Sequence, residues 1–158
     1  MDITSGLPFD DGTVDAIYAS HVLEHLYRED ALRLLAECMR VLKPEGVIRL
    51  VLPDLTTMIS TYLADETADA AIHLQEQLLM RDTQAPRGFF GKLKHLFADH
   101  HSHKFMYDLP LLIRDLQHAG FREVEECFFL NSRIAEVGEV ERSGRVENGA
   151  GFIVEALK

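Results

Sequence analysis

Residues 10–19 read DDGTVDAIYA, and residues 44–52 read PEGVIRLVL. In each segment, turn-forming residues precede a mostly apolar run, which is typical of a β-strand that is covered on both faces. Between them, Ala31, Leu35, Cys38 and Leu42 recur at steps of four, three and four, and this spacing predicts a helix from about Arg28 to Leu42. A strand, a helix and a second strand in this order predict an α/β sheet.

The remainder of the chain continues this alternation. Residues 55–80 have the composition of a helical region, and Asp108 and Gly120 are expected to begin and end a further helix. Two more strands are predicted, at Val124–Leu130 and Phe152–Leu157, with a charged loop over residues 131–149 between them. We expect one domain over residues 1–158, with a lid-like insert at about residues 81–107.

The composition excludes several functional classes. The 158 residues carry a net charge of −10, which argues against general nucleic-acid binding because phosphate contacts need a basic surface. The sequence shows no apolar run long enough to span a membrane and no secretory signal, and its two cysteines are isolated. We therefore expect a cytoplasmic protein.

Several segments together resemble class I S-adenosylmethionine-dependent methyltransferases of the type 11 kind, in particular a subgroup associated with surface-glycan biosynthesis. The segments are residues 7–18 (LPFDDGTVDAIY), 20–26 (SHVLEHL), 37–46 (ECMRVLKPEG), 51–55 (VLPDL), 103–108 (HKFMYD) and 119–121 (AGF). The resemblance implies a partial Rossmann-like methyltransferase sheet that comprises the family's strands four to seven.

The resemblance also implies a set of site residues and a cofactor, S-adenosylmethionine. Asp2 and Ile3 would frame its adenine, and Ser20 and His21 would line the junction between cofactor and acceptor. On the acceptor side the implied residues are Pro53, Asp54 and His103. The expected acceptor is a small molecule or a glycan-type molecule.

One part of the family pattern is missing from this sequence. The Gly-rich turn that would cradle the cofactor has no counterpart, since the segment Gly149-Ala150-Gly151 precedes a strand instead of opening a helix. The sequence therefore resembles the C-terminal half of a methyltransferase. We expect the strand at Val14–Ala19 to lack its central neighbour, to offer an edge for a homo-oligomer, and to leave the chain alone with weak affinity for the cofactor.

His21, Glu24 and His25 have the spacing i, i+3, i+4, which places three polar side chains on one face of a helix. Three interpretations are open. His25 could be packed beside Glu24 in a structural role, or His21, with His25 as a weaker candidate, could face the substrate and act as a general base. The same pattern is the inverted zinc-peptidase signature and would indicate a metal-dependent hydrolase, although here it follows a strand directly.

The segment from Arg81 to Lys104 is basic and rich in histidine. Within residues 88–97, apolar side chains recur at helical spacing beside lysines, which predicts either a lid or a helix in peripheral contact with an anionic membrane. The functional prediction is methyl transfer from S-adenosylmethionine. The alternatives are a non-catalytic fragment that acts as an assembly partner and, less favoured, the hydrolase.

Overall fold

The computed structural model describes residue 3 and residues 6–79, 102–145 and 151–158. Its sheet contains four strands, in the order β1-β2-β4-β3. They are β1 (Val14–Ser20), β2 (Leu42–Leu52), β3 (Arg122–Cys127) and β4 (Phe152–Leu157). β1 and β2 are parallel, whereas β4 is antiparallel to both of its neighbours, β2 and β3.

Five α-helices flank this sheet in the described part of the chain. They are α1 (Arg28–Val41), α2 (Leu55–Ala64), α3 (Ala70–Gln77), α4 (Leu109–His118) and α5 (Val137–Val140). Single 3-10 turns occur at Leu23–His25 and Ser143–Arg145. Among the described helices, none has the length and apolar character needed to cross a membrane.

The main core lies between one face of the sheet and the helices α1 and α4. The apolar positions of α1 recur at helical spacing, so that Leu35 and Cys38 pack toward the same cluster as Leu112 and Leu116 of α4. Alternate residues of β2 and β4, such as Leu50 and Val154, complete that cluster from the sheet. This arrangement confirms the predicted α/β class and the partial Rossmann-like sheet.

The structure differs from the prediction over residues 55–80, where the expected continuous helix is divided into α2 and α3. The division has a local cause at Asp65. Its side chain accepts a hydrogen bond of 2.9 Å from the backbone N–H of Thr67, and its backbone leaves the helical region. Such a side-chain turn competes with continued helix formation.

The C-terminal part also differs in detail from the prediction. β3 (Arg122–Cys127) begins and ends earlier than the predicted Val124–Leu130, and the chain has left the strand before Leu130, which has a positive φ of 59°. The expected loop over residues 131–149 contains the short helix α5, followed by Glu141, whose side chain is fully buried. Residues 146–150 of that loop, with Gly149, lie outside the described residues.

Candidate active site

The candidate site begins where β1 and β2 end. Because the two strands are parallel, their carboxyl ends meet at the same edge of the sheet, where open α/β sheets bind ligands. Ser20 is the last residue of β1, and His21 follows in a left-handed conformation with φ of 55°. The backbone N–H of His21 donates a 2.9 Å hydrogen bond to the carbonyl oxygen of Val51, which fixes this turn against β2.

Ser20 is the first predicted site residue with an unexplained polar atom. Its hydroxyl is buried and has no hydrogen-bond partner among the described residues. A buried hydroxyl normally has a partner. This position at the carboxyl end of β1 is therefore one where a polar ligand atom would fit.

Glu24 occupies the centre of a polar cluster beneath that edge. Its side chain is fully buried, and His21 Nδ1 and His25 Nε2 lie 3.1 Å and 4.0 Å from its Oε1 atom. Interaction with the Glu24 carboxylate raises the pKa of His21 above its ordinary value, although burial opposes the rise. His21, Glu24 and His25 thus lie close together, as their spacing predicts. Their backbone is not a regular α-helix, because the segment contains a single 3-10 turn at Leu23–His25 that follows an irregular residue.

His103 joins this cluster from a distant part of the sequence. The backbone N–H groups of Lys104 and Phe105 both donate to the carbonyl oxygen of Glu24, at 2.7 Å and 3.2 Å. These bonds hold the segment so that the rings of His103 and His25 lie 5.1 Å apart. Burial lowers the pKa of His103, which favours a neutral ring. The sequence placed His103 near the site but gave no signal that it contacts the other histidines.

On the β2 side, Asp54 has a clear structural role. Its carboxylate accepts hydrogen bonds from the backbone N–H of Thr56 (3.0 Å) and the hydroxyl of Thr57 (2.6 Å), so it caps α2. Asp54 also forms an isolated bridge with Tyr107, and Pro53 is buried beside it. These contacts connect the end of β2 to the segment that carries His103.

Other predicted site features are only partly described. Ile3 is half-buried and packs against the main core, whereas Asp2 lies outside the described residues. The membrane-contact segment 88–97 and most of the lid-like insert at residues 81–107 lie outside them as well.

Sequence reasoning did not find the interactions that support the site. Arg28, at the start of α1, bonds to the buried Asp115 of α4 at 2.6 Å and to the hydroxyl of Tyr107 at 3.4 Å. Burial raises the pKa of Tyr107, although the nearby Arg28 opposes the rise. The spacing of these residues along the chain gave no sign of this network, because all three come from separate elements.

The family comparison concerns the part of the chain that carries β1, α1 and most of β2. Residues 1–50 match the family model described as a methyltransferase domain. The match includes Ser20, His21, Glu24 and His25, so the candidate site begins within it.

Solved structures share the fold over nearly the whole chain. A SAM-dependent methyltransferase from Archaeoglobus fulgidus aligns with a TM-score of 0.55 and 19% identity, covering 100% of this chain and 66% of that one. A Haloferax volcanii putative methyltransferase, in complex with the Trm112 methyltransferase activator, aligns at 0.52 and 16% identity, covering 98% and 58%. PigF with SAH aligns at 0.52 and 14% identity, covering 99% and 34%.

The chain spans only part of the length of each of these structures. At such identities the likeness establishes only that the chain shares its fold with these structures. No curated protein matches the sequence significantly.

Proposed function

We propose that this chain is the acceptor-side half of an S-adenosylmethionine-dependent methyltransferase. The match of residues 1–50 to a methyltransferase domain carries the proposal. The sheet supports it, because two parallel strands lead to one site edge and the last strand, β4, is inserted antiparallel between β2 and β3. The proposed acceptor is a small molecule or a glycan-type molecule, and the proposed location is cytoplasmic.

In the proposed reaction, bound S-adenosylmethionine supplies an electrophilic methyl group. Methyl transfer is an in-line displacement, so placing the acceptor atom contributes more than strong base chemistry. Ser20 fits this task because its buried hydroxyl has no partner among the described residues and can contact cofactor or acceptor. His21 lies next to it and is the proposed residue that orients the acceptor or accepts its proton, with His25 as the second candidate.

The remaining predicted site residues are proposed to shape the acceptor and adenine pockets. Pro53 and Asp54 shape the acceptor side from the end of β2, and His103 approaches from the segment that packs on Glu24. Asp2 and Ile3 are proposed to frame the adenine.

Peripheral membrane contact through residues 88–97 stays a prediction, which vesicle co-sedimentation with Phe89→Asp and Phe97→Asp changes would test.

The experiment measures transfer of tritiated methyl from S-adenosylmethionine to a panel of hydroxyl and amine acceptors, including sugars. The chain is tested together with a methyltransferase N-terminal half that carries the Gly-rich turn. We expect transfer that falls at least tenfold in Ser20→Ala and His21→Asn, but not in His118→Asn, since His118 is exposed on α4. Equal activity in all three variants would contradict the proposed site.

A second candidate function is supported by the edge of the sheet. Among the described residues β1 pairs only with β2, and Tyr18 is half-buried on this incompletely covered strand. An open edge favours pairing with another chain. The chain would then act as an assembly partner without catalysis, either as a homo-oligomer or with a second polypeptide.

Sedimentation velocity over a range of concentrations tests this candidate. If β1 mediates association, Tyr18→Lys should shift the chain toward monomer, whereas Val140→Lys, at an exposed site on α5, should not. A monomer at every concentration, together with methyl transfer, would favour the enzyme over the assembly partner.

A further inference from the structure

The Glu24 cluster holds more ligand groups than its neighbours can satisfy. Glu24, His25 and His103 each offer a nitrogen or oxygen atom, and these atoms all lie within 4.8 Å of one another. Neither carboxylate oxygen of Glu24 has a hydrogen bond of acceptable geometry among the described residues, and Nδ1 of His103 is likewise buried and unpartnered. Three polar atoms of these residues, both Glu24 oxygens and His103 Nδ1, therefore lack a hydrogen-bond partner among the described residues.

The outer nitrogens of two of these rings lie beside backbone carbonyl oxygens. His21 Nε2 lies 3.3 Å from the carbonyl oxygen of Arg145, and His25 Nδ1 lies 3.4 Å from that of Ser102. Carbonyl oxygens accept hydrogen bonds, so each outer nitrogen of a neutral ring carries the proton.

Glu24 is fully buried, and neither of its oxygens accepts a hydrogen bond of acceptable geometry from the described residues, although His21 Nδ1 and His25 Nε2 lie 3.1 Å and 4.0 Å from Oε1. A buried carboxylate without compensation is strongly unfavourable. A bound cation would satisfy this carboxylate together with the ring nitrogens beside it. Metal-binding histidines in proteins characteristically donate their second N–H to a carbonyl or carboxylate group in this way.

We propose that Glu24, His25 and His103 bind a divalent transition-metal ion, with His21 as a possible fourth ligand. Imidazole nitrogens with one carboxylate favour zinc, iron, cobalt or nickel over calcium and magnesium, which prefer oxygen ligands. An ion equidistant from three atoms that lie 4.8 Å apart would be about 2.8 Å from each, so the ligands would have to close by about 0.7 Å to reach ordinary zinc distances of about 2.0–2.1 Å.

The ion site and the proposed acceptor site share His21, His25 and His103, but binding of an ion does not require methyl transfer. The segments that carry its ligands are joined by the backbone bonds from Lys104 and Phe105 to Glu24, so an ion would also fasten the segment around His103 to the end of β1. Metal binding can therefore be measured whether or not the chain transfers a methyl group.

The test uses the full chain without an affinity tag. Chain stripped with EDTA is dialysed against zinc, and bound metal is counted by mass spectrometry. Cobalt is added separately, because a nitrogen-ligated Co²⁺ ion gives visible absorption. We expect one ion per chain and a rise in the unfolding temperature with zinc. His25→Asn and His103→Asn should each weaken binding at least tenfold.

Matched variants distinguish metal binding by the Glu24 cluster from metal binding by other histidines. His118→Asn should leave binding unchanged, and so should the double change His100→Ala with His101→Ala, which tests the neighbouring histidine run. Far-UV circular dichroism checks that each variant is folded. The proposal is overturned if zinc does not saturate at one ion per chain, if His25→Asn and His103→Asn bind like the unchanged chain, or if only the double change removes the ion.

Discussion

Replacing Arg49 with methionine is expected to destabilise the chain more than any surface substitution, because among the described residues Arg49 is the only cation in a buried ionic cluster on β2. Its side chain is fully buried and bonds to Glu141 at 2.9 Å and 2.8 Å and to Glu155 at 2.9 Å. Two further hydrogen bonds reach the carbonyl oxygens of Asn131 and Phe128, each at 2.9 Å. All five guanidinium N–H groups therefore have an acceptor.

The expected magnitude follows from what methionine would leave behind. Two buried carboxylates would lose their cation, and removing one partner of a buried ion pair costs about 3–5 kcal/mol. The two carbonyl oxygens would also lose donors, at about 1 kcal/mol or more each. Because such terms overlap, we expect a loss of about 5 kcal/mol, comparable with the whole stability of a marginally stable domain at about 5–15 kcal/mol.

Urea unfolding followed by far-UV circular dichroism measures this loss. Arg33→Met is the matched control, because its ion pair with Asp30 is exposed and should contribute less than about 1 kcal/mol. Replacing Arg49, Glu141 and Glu155 together with apolar residues should recover the part of the loss that comes from the unpaired carboxylates. The carbonyl oxygens of Asn131 and Phe128 and the backbone N–H groups of Leu130 and Arg133 would still lack partners, so recovery should be incomplete. A loss below about 1 kcal/mol for Arg49→Met, or no recovery in the triple variant, would refute the reasoning.

Three further predictions concern local features of the fold. Gly46→Ala should lower the free energy of unfolding in urea by about 1–3 kcal/mol, because a Cβ atom there would lie 2.8 Å from a backbone oxygen. Gly144→Ala is the control and should be close to neutral, because a Cβ atom there would have no neighbour within 4 Å. Equal effects of the two changes would contradict the predicted contact at Gly46. Asp108→Ala should lower the stability by about 1 kcal/mol in thermal unfolding, because the Asp108 side chain caps α4 through a 2.9 Å hydrogen bond. An unchanged unfolding midpoint would show that this cap contributes nothing. In the native chain at pH 8, a thiol reagent should modify Cys127 before Cys38. Burial raises the pKa of Cys38 to about 12 and so lowers the fraction of its reactive thiolate. Modification in the reverse order would show that α1 opens readily.

The sequence predicted those parts of the fold that depend on local pattern. The apolar runs at residues 14–19 and 47–52 became β1 and the greater part of β2, and the caps at Asp108 and Gly120 delimit α4 as expected. The division between α2 and α3 escaped prediction because a single side-chain turn at Asp65 outweighed the composition of the segment.

The long-range polar networks could not be derived from spacing. Arg49 is the one charged residue in the apolar run at residues 47–52 of β2, and such a charge indicates a buried partner. Nothing in the local sequence identifies that partner as Glu141 or Glu155. Likewise the spacing of His21, Glu24 and His25 indicated a shared face, whereas the approach of His103 depends on tertiary backbone bonds.

Titration calorimetry with S-adenosylmethionine tests the central claim most directly. The chain should bind it more weakly than micromolar, since the Gly-rich turn of the family is not in its sequence, and adding an N-terminal half that carries this turn should give micromolar affinity. Micromolar binding by the chain alone, or no binding after that half is added, would contradict the account.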